Sequence, residues 1–247
     1  MDKEKIVVSF TSWKGKMKYD ISPSIISLCN QTLSPDKVYL NLSLTEFDND
    51  KDSIPDNIKQ LERELNGQFE INWVEGENTK CFKKFLPIID NHQNDIIITA
   101  DDDIIYPDFY VEGMVNSFRL DPTRPVTTTY HTFWGAMLMY GGASLYKPEF
   151  LKGWKDIITD DIIHTFEDDW FYSYVLLING IRPRLANKEV MFSPYTYVPY
   201  IIENQMFNLN MYNTGKTCEV LNKRLEDLGY SYEELVKKIY KKYKNEA

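Results

Sequence analysis

The sequence is poor in the residues that build disulfide frameworks and soft-metal sites. Its 247 residues hold three cysteines and three histidines. Cys29, Cys81 and Cys218 are scattered, with no C-x-x-C spacing. That pattern excludes a disulfide scaffold and leads us to expect reduced thiols in a cytoplasmic protein. His92, His131 and His164 are equally dispersed, which argues against a Cys/His zinc centre. No stretch approaches the roughly 18 apolar residues of a membrane span. The opening "MDKEKIVVSF" lacks the apolar run of a secretory leader. Positive charge is in deficit, with 28 Lys and Arg against 37 Asp and Glu, a net of −9. That balance speaks against a nucleic-acid partner. There are no repeats, no low-complexity segments and no obvious linker.

What is present is an alternation of strand and helix patterns over the first 110 residues. "KIVVSFTS", "KVYLNLS", "FEINWV" and "DIIITA" read as strands, being runs of β-branched and apolar residues. Between them lie helical segments. "SPSIISLCNQ" has Ser22 as N-cap and Pro23 at the first helical position. "IPDNIKQLERELNG" is closed by Asn66-Gly67. "CFKKFLPIID" has helical spacing, which Pro87 must kink or break. "PDFYVEGMVNSFRL" follows the fourth strand. Such alternation implies βαβ units and a largely parallel sheet, with ligands bound beyond the carboxyl ends of its strands. The segments to examine are therefore residues 11–16, 43–46, 75–80 and 101–103. In the second half, "EDDWFYSYVLLING" reads as a helix with acids in its first turn and Asn179-Gly180 at its end. Ser231 and Glu234 form a capping box for the helix that ends the chain.

The oddest feature is "DIIITADDDIIYP", a buried-looking strand that runs into three aspartates. In extended chain, side chains at i and i+2 point the same way. Asp101 and Asp103 are then expected to face one cleft, with Asp102 turned elsewhere. Paired carboxylates repel unless a cation sits between them. Oxygen ligands suit Mg²⁺ or Mn²⁺, which fill their remaining positions with water and substrate phosphate. The bland reading is a solvated turn capping the following helix. "DNDKD" at residues 48–52 also alternates acids. Ser53 and Lys59, where a calcium loop needs glycine and glutamate, make it an exposed loop.

With these residues in view, the chain resembles nucleotide-sugar glycosyltransferases of the GT-A fold. It is similar to the family 2-like bacterial enzymes that build capsular and other surface polysaccharides. The likeness covers roughly residues 5–190. It rests on "VVSFTSWKGK", "SLCNQTLSPDKVYLNLS", the D-x-D element in "TADDDIIYP", and "EDDW". The resemblance implies a Rossmann-like α/β fold with a mostly parallel sheet flanked by helices, plus C-terminal helices. It divides the chain into a transferase domain, residues 1–215, and a helical appendage, residues 216–247. Within the domain, residues 1–110 would bind the nucleotide sugar and residues 111–215 would face the acceptor. Asp101 and Asp102 would meet the donor, and Asp103, with Asp101, would hold Mn²⁺ or Mg²⁺. Thr11, Asn41 and Ser43 would line the nucleoside pocket, and Lys80 would neutralise donor phosphate. The donor would be UDP-linked and the acceptor a glycan, lipid-linked in one version. No C-terminal metal-binding histidine can be placed, and the second half matches loosely.

In inverting members of that group, an aspartate at such a helix start is the general base. Asp168 is the best match within "EDDW", and Asp169 the second. Helix-dipole stabilisation alone is the plainer account of these acids. A retaining reaction would not need the base. Two other classes stay open. One is a nucleotidyltransferase of similar fold, which should carry a Gly-rich loop after the first strand, where "TSWKGK" has one glycine. The other is a non-catalytic glycan-binding relative. Remaining features have ordinary alternatives. Trp134, Trp170 or Phe171 could wall the base. Gly141-Gly142 is a close backbone approach or a turn. Tyr195, Tyr197 and Tyr200 stack on sugars or pack. Lys14 to Lys16 meets phosphate or water, and His131 and His164 pack or lie at the surface. Leu235, Ile239 and Tyr243 form an apolar stripe beside Lys237, Lys238, Lys241, Lys242 and Lys244. Such a helix either packs on the domain or lies on the inner face of the plasma membrane.

Overall fold

The computed structural model describes residues 4–128, 130–133, 136–139, 142–191, 196–197 and 214–244. The readings on Trp134, Gly141, Tyr195 and Tyr200 lie outside the described residues, as do the side chains of His131 and Tyr197.

The described strands are β1 (Ile6–Thr11), β2 (Lys37–Ser43), β3 (Phe69–Val74), β4 (Ile96–Ala100), β5 (Ile104–Ile105), β6 (Val126–Thr127), β7 (Tyr130–Phe133), β8 (Ala136–Met139), β9 (Ala143–Tyr146), β10 (Arg184–Leu185) and β11 (Thr196–Tyr197). The helices are α1 (Ser22–Cys29), α2 (Asp56–Glu64), α3 (Leu86–Ile89), α4 (Tyr110–Arg119), α5 (Trp154–Ile157), α6 (Asp160–Ile163), α7 (Asp168–Ile178), α8 (Lys188–Met191), α9 (Thr214–Asp227) and α10 (Tyr232–Lys242). Seven strands form one sheet in the order β10-β6-β9-β4-β1-β2-β3. β4, β1, β2 and β3 run parallel, and β9 enters antiparallel between β4 and β6. This is the mixed α/β architecture the sequence pattern implies.

The four parallel strands explain the layering. Val7, Val8 and Phe10 are completely buried, as are Val38, Leu40 and Leu42, and Ile97 and Ile98. A strand covered on both faces reads as a continuous apolar run, and helices must close both sides. One hydrophobic core results, and it includes Leu221 and Leu225 of α9 and Leu235, Ile239 and Tyr243 beyond them. The stripe on α10 is thus spent on packing. Lys237, Lys238, Lys241, Lys242 and Lys244 remain exposed. Among the described residues no helix is long and apolar enough to cross a membrane.

Local corrections follow from competing chemistry. Ser22 is the first residue of α1 and not its N-cap, which is Ile21 with no side-chain cap; the Ser22 N–H donates to Asp20 Oδ1 at 2.9 Å. "CFKKFLPIID" is two pieces, a tight turn of 3₁₀ helix at Lys80–Lys84 and then α3. The break falls at Phe85, with Pro87 in the first turn of α3, where a missing N–H costs nothing. Gly67 closes α2 at a φ of 88°, and Ser231 accepts from Glu234 N–H as the capping box requires.

Candidate active site

The segments past β1, β3 and β4, together with the start of α7, converge at the carboxyl edge of the sheet. Residues 102–103 form a turn between β4 and β5, not extended chain. Alternation therefore does not apply, and the expected pairing of Asp101 with Asp103 is replaced by another. Lys16 Nζ lies 2.6 Å from Asp102 Oδ1 and 3.1 Å from Asp103 Oδ2, so Asp102 and Asp103 meet at one ammonium. Lys84 Nζ takes Asp101 Oδ1 at 2.7 Å. The turn is fastened through its backbone. Ser24 Oγ donates to the Asp102 carbonyl at 2.9 Å. The Asp101 N–H donates to Tyr106 Oη at 2.8 Å, and that hydroxyl donates to the Gly142 carbonyl at 2.7 Å. A Cβ on Gly142 would stand 1.9 Å from Asp101 Oδ2, so this glycine is a close backbone approach to the acid.

Lys84 joins the two acidic clusters, residues 101–103 and 167–169. Its Nζ is also 3.9 Å from Asp168 Oδ2. Asp168 is the first residue of α7 and only 4% exposed. Glu167, just before it, is used elsewhere, accepting from the Thr217 hydroxyl of α9. Burial acts against the charge on Lys84, yet Asp101, Asp168 and Asp169 together hold its pKa well above the ordinary lysine value. For Lys16, burial is likewise outweighed by Asp102 and Asp103, and its pKa is raised. Trp170 packs on Tyr174, and Phe171 packs on Phe82. Tyr146 and Tyr172 feel the Asp168 charge, and their phenols are pushed well up by burial and then by that carboxylate. The Cys81 thiol is raised for the same two reasons.

Side-chain atoms buried here without a hydrogen-bond partner include Ser12 Oγ, Trp13 Nε1, Thr79 Oγ1, Asp102 Oδ2, Asp168 Oδ2, Tyr146 Oη and Tyr172 Oη. Buried polar groups in folded proteins are nearly always satisfied. Several such atoms near the strand-end edge make it a candidate place for a polar ligand. Among the described residues no three acids, histidines or cysteines come together as a ready metal cage, while the carboxylate oxygens of Asp101, Asp102 and Asp103 are donors of the kind a hard divalent ion takes.

The other expected residues divide. Thr11 Oγ1 donates to the Asn41 carbonyl at 2.7 Å. Asn41 is completely buried; its amide donates to Ser9 Oγ and Phe10 O and accepts from Asn72, so it serves the sheet. Ser43 pairs with Thr45 at 2.9 Å. Lys80 has a φ of 55°, and its ammonium lies over the Phe166 ring. Lys83, its neighbour but two, is buried between Asn78 Oδ1 at 2.7 Å and Glu46 at 3.8 Å. Sequence reasoning missed Lys83 and Lys84. Two lysines set between Phe82 and Phe85 in an apolar segment were the available signal, because buried lysines need partners. It also missed the pairing of β11 with β5, which brings the backbone of Thr196 and Tyr197 beside the exit of the acidic turn.

No family model matches the sequence, and no curated protein matches it. Solved structures do share the fold. Mannosyltransferase PcManGT from Pyrobaculum calidifontis, in complex with GDP-Man and Mn²⁺, has a TM-score of 0.53 at 15% identity over 75% of this chain. The chain spans 56% of that protein. S. aureus TarS 1-349, in complex with UDP, has a TM-score of 0.54 at 13% identity, covering 90% of this chain and 70% of that one. A cytidylyltransferase from Leptospira borgpetersenii has a TM-score of 0.53 at 13% identity, covering 98% and 95%. The shared property is the fold, an α/β sheet flanked by helices that glycosyltransferases and nucleotidyltransferases both use.

Proposed function

We propose that the protein transfers a sugar from a nucleotide diphosphate donor, UDP-linked, to a glycan acceptor in bacterial surface-polysaccharide synthesis. The observation that carries this reading is the meeting of two buried acidic groups at one strand-end edge, with Asp102 Oδ2 and Asp168 Oδ2 left without hydrogen-bond partners. An acidic pair with one carboxylate beside the donor and one in a dry recess suits displacement at an anomeric carbon. Asp168 accepts the proton of the acceptor hydroxyl as its oxygen attacks. The bond to the donor's diphosphate oxygen breaks, and the nucleoside diphosphate leaves with the electron pair. The ring configuration inverts. Lys84 keeps Asp101 in place and sets a positive charge beside Asp168. Asp101, Asp102 and Asp103 are the residues that would hold Mn²⁺ or Mg²⁺, whose charge would offset that of the departing diphosphate. Thr11, Ser43 and Lys80 stand at the strand ends for the nucleoside and its phosphates. The lipid-linked form of the acceptor would bring the exposed lysines of α10 to the inner face of the plasma membrane.

The test is a panel of nucleotide sugars incubated with the protein and Mn²⁺, scored by released nucleoside diphosphate. Slow hydrolysis needs no known acceptor. Release with one donor class supports the reading, and silence across the panel removes it. Nucleotidyl transfer is the second reading, favoured by how completely the fold matches a cytidylyltransferase. It predicts pyrophosphate release from a nucleoside triphosphate and a sugar phosphate instead. Against it, the turn after β1 holds the Trp13 ring over Gly15 where a Gly-rich phosphate loop would lie.

A further inference from the structure

Asp101 and Asp103 are the pair the sequence points to for a cation from outside the chain, yet the structure brings Asp102 and Asp103 together, and the cation between them is Lys16. This ammonium is 9% exposed and bonded to both carboxylates, at 2.6 and 3.1 Å. Asp101 adds to the field that holds it. Lys16 follows β1 in a turn closed by its N–H to the Trp13 carbonyl at 2.9 Å. That turn belongs to the strand-end edge where a donor's phosphates would lie. Asp102 Oδ2 is buried with no hydrogen-bond partner, so one carboxylate has a lone-pair face that Lys16 does not use.

We propose that Lys16 is a resident counter-ion that competes with the divalent ion and hands the carboxylates over only when a diphosphate arrives. The inference rests on the transferase reading above. Two cations crowded on the same pair of acids repel, and a displaced buried ammonium needs a new anion. The diphosphate supplies it. Metal and nucleotide then load together, and Lys16 is the element that couples their affinities. With the acids held by Lys16, the empty protein keeps a partly neutralised turn and takes up metal alone only weakly.

The experiment measures Mn²⁺ binding directly by electron paramagnetic resonance, with and without UDP, in the wild type, Lys16→Met, Lys16→Gln and Lys16→Arg. The expected wild-type result is weak binding of Mn²⁺ alone and marked tightening by UDP. Removing the ammonium should tighten Mn²⁺ alone by about tenfold or more and shrink the UDP effect by a similar factor. Lys16→Arg keeps the charge and should stay weak. The glutamine variant covers the case in which the methionine variant misfolds, with circular dichroism as the check. Should both uncharged variants bind Mn²⁺ no tighter than the wild type while Mn²⁺ with UDP still binds, the coupling role is overturned and the transferase reading stands. Should no protein bind Mn²⁺ under any condition, the metal-holding reading of the acidic turn falls and takes this inference with it.

Discussion

At the scale of single residues, the site is a contest between burial and charge. Removing the buried Lys84 leaves Asp101 and Asp168 without their shared ammonium, and breaking a buried pair typically costs about 3–5 kcal/mol. Lys84→Met is expected to unfold at lower urea by roughly that amount, and a normal denaturation midpoint would show that the ion pairs contribute little. Asp168→Asn keeps the shape and removes the carboxylate proposed to accept the proton. It should lower transfer by about 10²-fold or more while UDP binding persists. Transfer at the wild-type rate would take Asp168 out of the mechanism. Asp103→Ala should abolish the Mn²⁺-dependent part of UDP binding, read by calorimetric titration. Acids 101–103 and 168 were legible because three like charges after an apolar run, or at a helix start, demand compensation. Lys84 was not, since a lysine's partner 17 or 84 positions away has no local signature.

At the scale of elements, position depends on how turns and glycines let segments approach. Gly142 sits where β9 begins and its backbone touches Asp101. A methyl group there overlaps the carboxylate. Gly142→Ala is expected to weaken donor binding far more than it lowers the melting temperature, because Asp101 can swing out but cannot stay. Equal binding by the variant would mean that Asp101 is not part of the donor contact. The acidic turn shows the limit of pattern reading at this scale. Alternation holds for extended chain, and residues 102–103 turn, so Asp102 joined Asp103 on Lys16. On α10 the spacing of Leu235, Ile239 and Tyr243 correctly gave one apolar face. What that face meets was open until it packed into the common core.

At the scale of the whole molecule, buried titratable groups give stability a defined pH profile. Burial lowers the pKa of Lys83 to about 8 from an ordinary 10.5, with Glu46 opposing. The folded state therefore releases this proton before the unfolded state does, and stability rises with pH from about 8. Cys29 and Cys218 work the other way. Burial raises their thiols to about 12 and about 11 from an ordinary 9.0. The unfolded chain ionises them first, so their contribution is whole below pH 9 and is lost above it. Urea midpoints should climb between pH 8 and 9, and the gain should fade as the thiols oppose it higher up. Lys83→Met should flatten that climb, and an unchanged slope would place the titration elsewhere. The sequence by itself determined the alternation of strands and helices, the parallel core and the two acidic clusters, because burial on both faces and uncompensated charge leave local marks. Only the tertiary structure decided which ammonium meets which acid, that β9 runs antiparallel between β4 and β6, and that β11 returns to β5. Those outcomes depend on contacts between residues far apart in the chain, where close packing and desolvation choose among partners that local sequence treats alike.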